Sequence, residues 1–197
     1  MMNFAVIVFP GSNCDHDAYY ILNDVMGSSV EFVWHKENDL SKYDGIIIPG
    51  GFSYGDYLRT GAIACFSPIM SSIIKEANRG KPILGICNGF QILIESGLLA
   101  GALIVNKNIR FLSQNVTLEV STTDSIFTRN LKKSDSLVMP IAHKQGNYIA
   151  SKDTLKLLKD EDRIAFRYIE GDGGNPNGSM ERIAGIFNKK RNVLGMM

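Results

Sequence analysis

Pro82-Ile83-Leu84-Gly85-Ile86-Cys87-Asn88-Gly89-Phe90-Gln91-Ile92-Leu93-Ile94-Glu95 is the stretch that decides the fold. Ile83–Ile86 reads as a buried strand, and Phe90, Ile92, Leu93 and Ile94 open an amphipathic helix. Between them, Gly85-Ile86-Cys87-Asn88-Gly89 fits the Gly-x-nucleophile-x-Gly elbow, with cysteine in the serine position. A strand that turns at once into a helix holds its middle residue in a strained backbone conformation. Side chains two residues to either side are expected to collide with it, hence the glycines. The helix N-terminus aims N–H groups at the sulfur, which predicts a favoured thiolate and a donor for an oxyanion. The alternative is a buried structural cysteine behaving as a small hydrophobe.

Outward from this elbow the chain keeps the same rhythm. Phe4–Phe9 is a continuous apolar strand, followed by the loop Pro10–Asp17 and a helical pattern from Ala18 to about Met26. Val30–Trp34 and Tyr43–Gly51 read as the next strands, the latter ending in a glycine pair. After the loop Phe52–Arg59, a helix is expected from about Thr60 to Asn78. Strands alternating with helices predict right-handed βαβ units in an α/β fold. The sheet is doubly wound and mostly parallel, with helices on both faces. Beyond Gly97 the pattern shortens. Asn115–Val120 alternates like a half-buried antiparallel strand, and Leu137–Met139, Tyr148–Ala150, Arg163–Tyr168, Ile183–Phe187 and Val193–Met197 are further short strands. Antiparallel strands are therefore expected in the second half. With no repeat or linker, residues 1–197 read as a single domain.

Composition excludes several classes. Hydrophobic residues make up 45% and charged residues 21%, with a net charge of +1, so no polybasic surface for nucleic acid or membrane is indicated. The run Phe4–Phe9 is too short for a membrane span. The three cysteines, Cys14, Cys65 and Cys87, have no CxxC spacing, so neither a disulfide framework nor a metal site is expected. A reducing cytoplasmic location follows. The Gly50-Gly51 loop lacks a Walker ending, and the loop Gly171–Gly178 breaks the dinucleotide pattern at Pro176. No nucleotide cofactor is therefore expected in this chain.

In an open α/β sheet, ligands bind beyond the carboxyl ends of the strands. That gathers Pro10–Asp17, Pro49–Arg59, the Cys87 elbow and whatever follows Met197. Backbone N–H groups at Gly51 and Asn88 form a candidate oxyanion hole, though Gly50-Gly51 alone is equally a simple turn. A cysteine nucleophile needs a histidine base, and His16, His35 and His143 are available. His35 reads as a surface residue at a strand end, and His143 as a loop residue that either lines the site or sits near a subunit contact. Cys14 with His16 is a rival pair, without an elbow.

Phe9–Asp15, Pro49-Gly-Gly-Phe-Ser-Tyr-Gly-Asp-Tyr-Leu-Arg59, Gly61–Ala64, Gly85–Gln91, Asn175–Ser179 and Gly195-Met-Met197 together resemble one family over essentially the whole chain. It is the family of glutaminase subunits of phosphoribosylformylglycinamidine synthase, class I triad-type glutamine amidotransferases. The resemblance implies that Cys87 attacks the side-chain amide of L-glutamine, forms a thioester and releases ammonia, with Gly51 and Asn88 holding the oxyanion. Gly50, Gly51, Phe52 and Gln91 would contact glutamine; Asn13, Tyr54, Arg59 and His143 would line the site or meet a partner. Partners are implied to be a large synthetase subunit, which uses ATP and magnesium to turn formylglycinamide ribonucleotide into the amidine, and a small bridging subunit. The family carries its catalytic histidine and glutamate in a Pro-His-Pro-Glu segment after Gly-Met-Met, whereas this sequence stops at Met197. A truncated, inactive chain is the resulting expectation. The alternatives are a non-catalytic interaction subunit of the same complex and another elbow-cysteine α/β enzyme, of protease or glyoxalase type.

Overall fold

Where the apolar runs lie, strands form, with ends set by glycine, proline and polar caps. The computed structural model describes residues 1–57, 59–169 and 174–197, in two compact units, Met1–Leu98 and Leu99–Met197. The first unit holds β1 (Asn3–Val8), α1 (Asp15–Tyr20, continuing as a wide turn over Ile21–Val25), β2 (Ser29–Trp34) and β3 (Gly45–Ile48). α2 (Ile69–Asn78), β4 (Ile83–Ile86) and α3 (Asn88–Glu95) follow. Its strands are parallel in the order β2-β1-β3-β4. The chain steps from β1 to one side and then returns to the other, so right-handed crossovers put α1 and α2 on opposite faces. The order reverses between β1 and β3, which makes their carboxyl ends the switch point.

Alternation explains how both faces are filled. Val6, Val30 and Ile47 point to one side and pack with Ala18, Tyr19 and Leu22 of the α1 region. Ala5, Ile7, Ile46 and Ile48 are their buried neighbours in sequence, so these strands are apolar throughout. Each fully buried valine or isoleucine among them contributes about 1.5–3 kcal/mol by leaving water.

Two helices differ from expectation. α1 begins at Asp15 rather than Ala18. The Asp15 carboxylate accepts the His16 N–H and the Ser12 hydroxyl, and Asp15 with Asp17 suits the positive end of the helix. α2 begins at Ile69, not Thr60. Pro68 forces Ser67 into extended backbone (ψ 139°), so the preceding residues make only a short 3-10 turn over Ala64–Phe66.

The second unit is built from β5 (Ala102–Ile104), β6 (Leu112–Val120), β7 (Ser136–His143), β8 (Asn147–Ile149), α4 (Lys152–Asp160), β9 (Ile164–Tyr168), β10 (Ile183–Phe187) and β11 (Val193–Met196). Antiparallel pairing in the order β11-β10-β9-β6-β7 matches the expected change of rhythm, and β5 with β8 forms a separate ladder. β7 is longer than foreseen, pairing with β6 from Ser136 through His143. Its Pro140 is accommodated because β7 ends the strand order. Helix α4 is absent from the expected elements. Only Leu155 and Leu158 of it are buried, among charged residues, and the Ser151 hydroxyl caps it by accepting the Thr154 N–H. Of the loop Gly171–Gly178, residues 171–173 lie outside the described residues. The remainder is tied down by Asn177, whose amide donates to the Gly146 carbonyl (2.8 Å) and the Tyr168 hydroxyl (3.0 Å).

Candidate active site

Cys87 joins β4 to α3 at φ 51°, ψ −106°, a conformation that non-glycine residues rarely adopt. Its glycine neighbours are required, for a different reason from the one expected. A Cβ on Gly89 would lie 1.9 Å from the Ile48 carbonyl oxygen of β3, and one on Gly85 would lie 2.4 Å from the Leu93 Cδ1. The glycines therefore let α3 lie directly against the strands, rather than clearing space around the sulfur.

Two other loops come to this point. A Cβ on Gly50 would sit 3.4 Å from the Cys87 Cβ and 3.7 Å from the Cys14 Sγ. Gly51 (φ 105°) backs onto Asn13 so closely that a Cβ would be 2.6 Å from the Asn13 nitrogen. The loops after β1 and β3 thus meet the elbow at the switch point, as expected for the strand order.

Asn88 fastens the arrangement from inside. Its Oδ1 accepts the Ser53 N–H (3.2 Å), while its Nδ2 donates to the Gln91 Oε1 (3.0 Å) and the Asp56 Oδ1 (3.4 Å). Gln91 is buried, with its amide oxygen engaged by Asn88. Beyond Phe52, which is exposed, Tyr54 (φ 56°), Gly55 (φ 67°) and Asp56 (φ 54°) form a left-handed turn. The Tyr54 hydroxyl lies 3.0 Å from the His35 Nδ1 and 2.8 Å from the Ser67 Oγ, and His35 and Ser67 lie 3.1 Å apart. His35 is consequently not a surface residue but is buried at 8% exposure, with burial holding its pKa below the ordinary value. Arg59 is exposed and pairs with Glu95 at the end of α3.

The rival pair is not assembled. The His16 ring faces the Asp15 carboxylate at 2.9 Å and Phe32, while the Cys14 thiol donates to the Asn13 Oδ1 (3.5 Å). His143 belongs to the second unit and is not a loop residue. It ends β7 at 3% exposure with its Nδ1 3.2 Å from the Asn106 Oδ1, and burial lowers its pKa to about 4. The burial of His35 and His143 could not be read from their neighbours in sequence. Their partners lie tens of residues away.

Burial pushes the Cys87 thiol up to about 11. The Asn88 N–H at the sulfur pulls in the opposite direction, and Cys14 and Asp56 add to the rise. Desolvation therefore outweighs the Asn88 N–H, so burial opposes the favoured thiolate expected from the elbow. Alkylation of Cys87 by iodoacetamide should be slow at pH 7. Its rate should then climb about tenfold per pH unit up to about 11. Mass spectrometry of the modified peptide across a pH series checks this; a plateau near neutrality would contradict it.

A parallel sheet whose switch point holds a strained cysteine at a helix N-terminus defines the class of elbow-cysteine α/β enzymes. Within that class, the CobB/CobQ-like glutamine amidotransferase domain model matches residues 1–197. Phosphoribosylformylglycinamidine synthase subunit PurQ from Koribacter versatilis (strain Ellin345) is 55% identical, over 100% of this chain and 87% of its own length. The structure of PurLQS from Thermotoga maritima superposes with a TM-score of 0.88 at 44% identity, covering 100% of this chain and 86% of that one. A glutamine amidotransferase from Thermotoga maritima shares the fold, with a TM-score of 0.60 at 16% identity over 99% of this chain and 74% of that one. The chain belongs to the CobB/CobQ-like glutamine amidotransferase family and, within it, to the PurQ subunits of phosphoribosylformylglycinamidine synthase. Among the described residues, no helix is long and apolar enough to cross a membrane.

Proposed function

We propose that Cys87 is the nucleophile that hydrolyses the side-chain amide of L-glutamine, releasing ammonia for a synthetase partner. The observation that carries this is the strained Cys87 backbone, held between β4 and α3 beside the Gly50-Gly51 loop. The sulfur adds to the amide carbon, and negative charge moves to the oxygen, where the N–H groups of Gly51 and Asn88 donate to it. The carbon–nitrogen bond then breaks as the nitrogen takes up a proton, leaving a γ-glutamyl thioester and ammonia. Water attacks the thioester, glutamate departs and the thiol is regenerated.

A thiol held near 11 needs a base to react at neutral pH. The family resemblance assigns that role to the histidine and glutamate of a Pro-His-Pro-Glu segment. Phe52 and Gln91 border the substrate in this reading, and Asn13, Tyr54 and Arg59 support the loops. Ammonia must reach its acceptor without meeting bulk protons, because ammonium has no lone pair to attack with. That requirement favours a channel into a large, ATP- and magnesium-using synthetase, assembled through a small bridging subunit in the cytoplasm. This subunit needs no cofactor of its own.

A chloroketone analogue of glutamine tests the reading. The full-length protein should take up the reagent at Cys87, and excess glutamine should protect it. Modification at Cys14 or Cys65 instead, or none, would overturn it.

A further inference from the structure

We propose that the Asp56 carboxylate receives the α-ammonium group of the substrate, so that the site selects amides carrying that charge. The inference rests on the glutaminase reading. Asp56 closes the left-handed turn after the Gly50-Gly51 loop, with its Oδ1 3.4 Å from the side-chain amide of Asn88, the residue next to Cys87. Its negative field reaches the Cys87 sulfur. Among the described residues no lysine, arginine or histidine pairs with it, whereas the other buried or half-buried carboxylates of this unit each meet a basic side chain. Asp15 meets His16, Glu76 meets Arg79 and Lys81, and Glu95 meets Arg59.

A half-buried carboxylate without a partner of this kind is an unfavourable arrangement in a unit whose other buried or half-buried acids, Asp15, Glu76 and Glu95, each face a basic side chain, and burial already raises its pKa. Glutamine brings the missing charge. With its amide carbon at Cys87, its ammonium group lies several bonds further along the same molecule, and Asp56, beside Asn88, is the carboxylate placed to meet it. An amide lacking that group would leave the carboxylate desolvated and unpaired, which is the situation in which polar sites discriminate most strongly.

The test compares a chloroketone analogue of glutamine with its desamino counterpart on the full-length protein, as rates of Cys87 modification. The unaltered protein should react about 10- to 100-fold faster with the amino form, the range of a hydrogen bond to a charged group. Asp56→Asn should bring the ratio of the amino to the desamino rate close to unity, whatever common change the loss of its charge beside Cys87 makes to both rates. Equal slowing of both reagents would show that Asp56 only supports its loop, and an unchanged ratio would exclude it from recognition; either result overturns the proposal. If neither reagent modifies Cys87, the glutaminase reading itself fails.

Discussion

Cys87→Ala should lower glutamine-dependent activity by roughly three orders of magnitude or more, since the thioester pathway has no substitute for the sulfur. The same variant should retain synthesis supported by added ammonia in the assembled synthase, because in the proposed function the acceptor chemistry lies in another subunit. Alanine keeps the Cβ and the strained φ of 51°, so the elbow and the Asn88 network stay as they are. Glutamate release and ammonia-supported product formation, measured on one preparation, separate the two effects. Parallel loss of both would place the defect in folding or docking and remove Cys87 from the chemistry.

Gly89→Ala is expected to destabilise the protein by about 3 kcal/mol or more, against the sign that helix propensity alone would give. Alanine in a helix is normally favoured over glycine by about 1 kcal/mol. Here the added methyl would lie 1.9 Å from the Ile48 oxygen, which belongs to the β3 backbone and cannot turn aside. Either α3 lifts away from β3, carrying Cys87 and Asn88 with it, or the strand bends. The urea midpoint and the glutaminase rate should therefore fall together. A variant as stable as its parent would mean that the close approach of α3 to β3 is not required.

Much of this was legible in order of residues. The strand, glycines and helix around Cys87 follow from local pattern, and so do the parallel first half and antiparallel second half. What could not be read depends on partners far apart in the chain. Pattern locates Gly89, but only the Ile48 carbonyl explains it. His35 looks like a polar strand end until Tyr54 and Ser67 are seen to enclose it. Asp56 is one acid in a polar loop, distinguished by being half-buried beside Asn88 with no lysine, arginine or histidine pairing with it among the described residues. Helix α4 escaped notice because two leucines one turn apart are too few to display a period.

The enclosure of Tyr54 by His35 and Ser67 has a thermodynamic consequence. Fixing the backbone of a free residue costs about 1–2 kcal/mol of conformational entropy. A substrate that had to order the segment from Ser53 to Asp56 for itself would lose much of its affinity to that term. By anchoring the middle of the segment to two buried side chains, the protein moves the loss into folding, where the whole core offsets it. In the proposed function, glutamine then meets a surface already at rest, and its binding enthalpy need not compensate for restraining the loop.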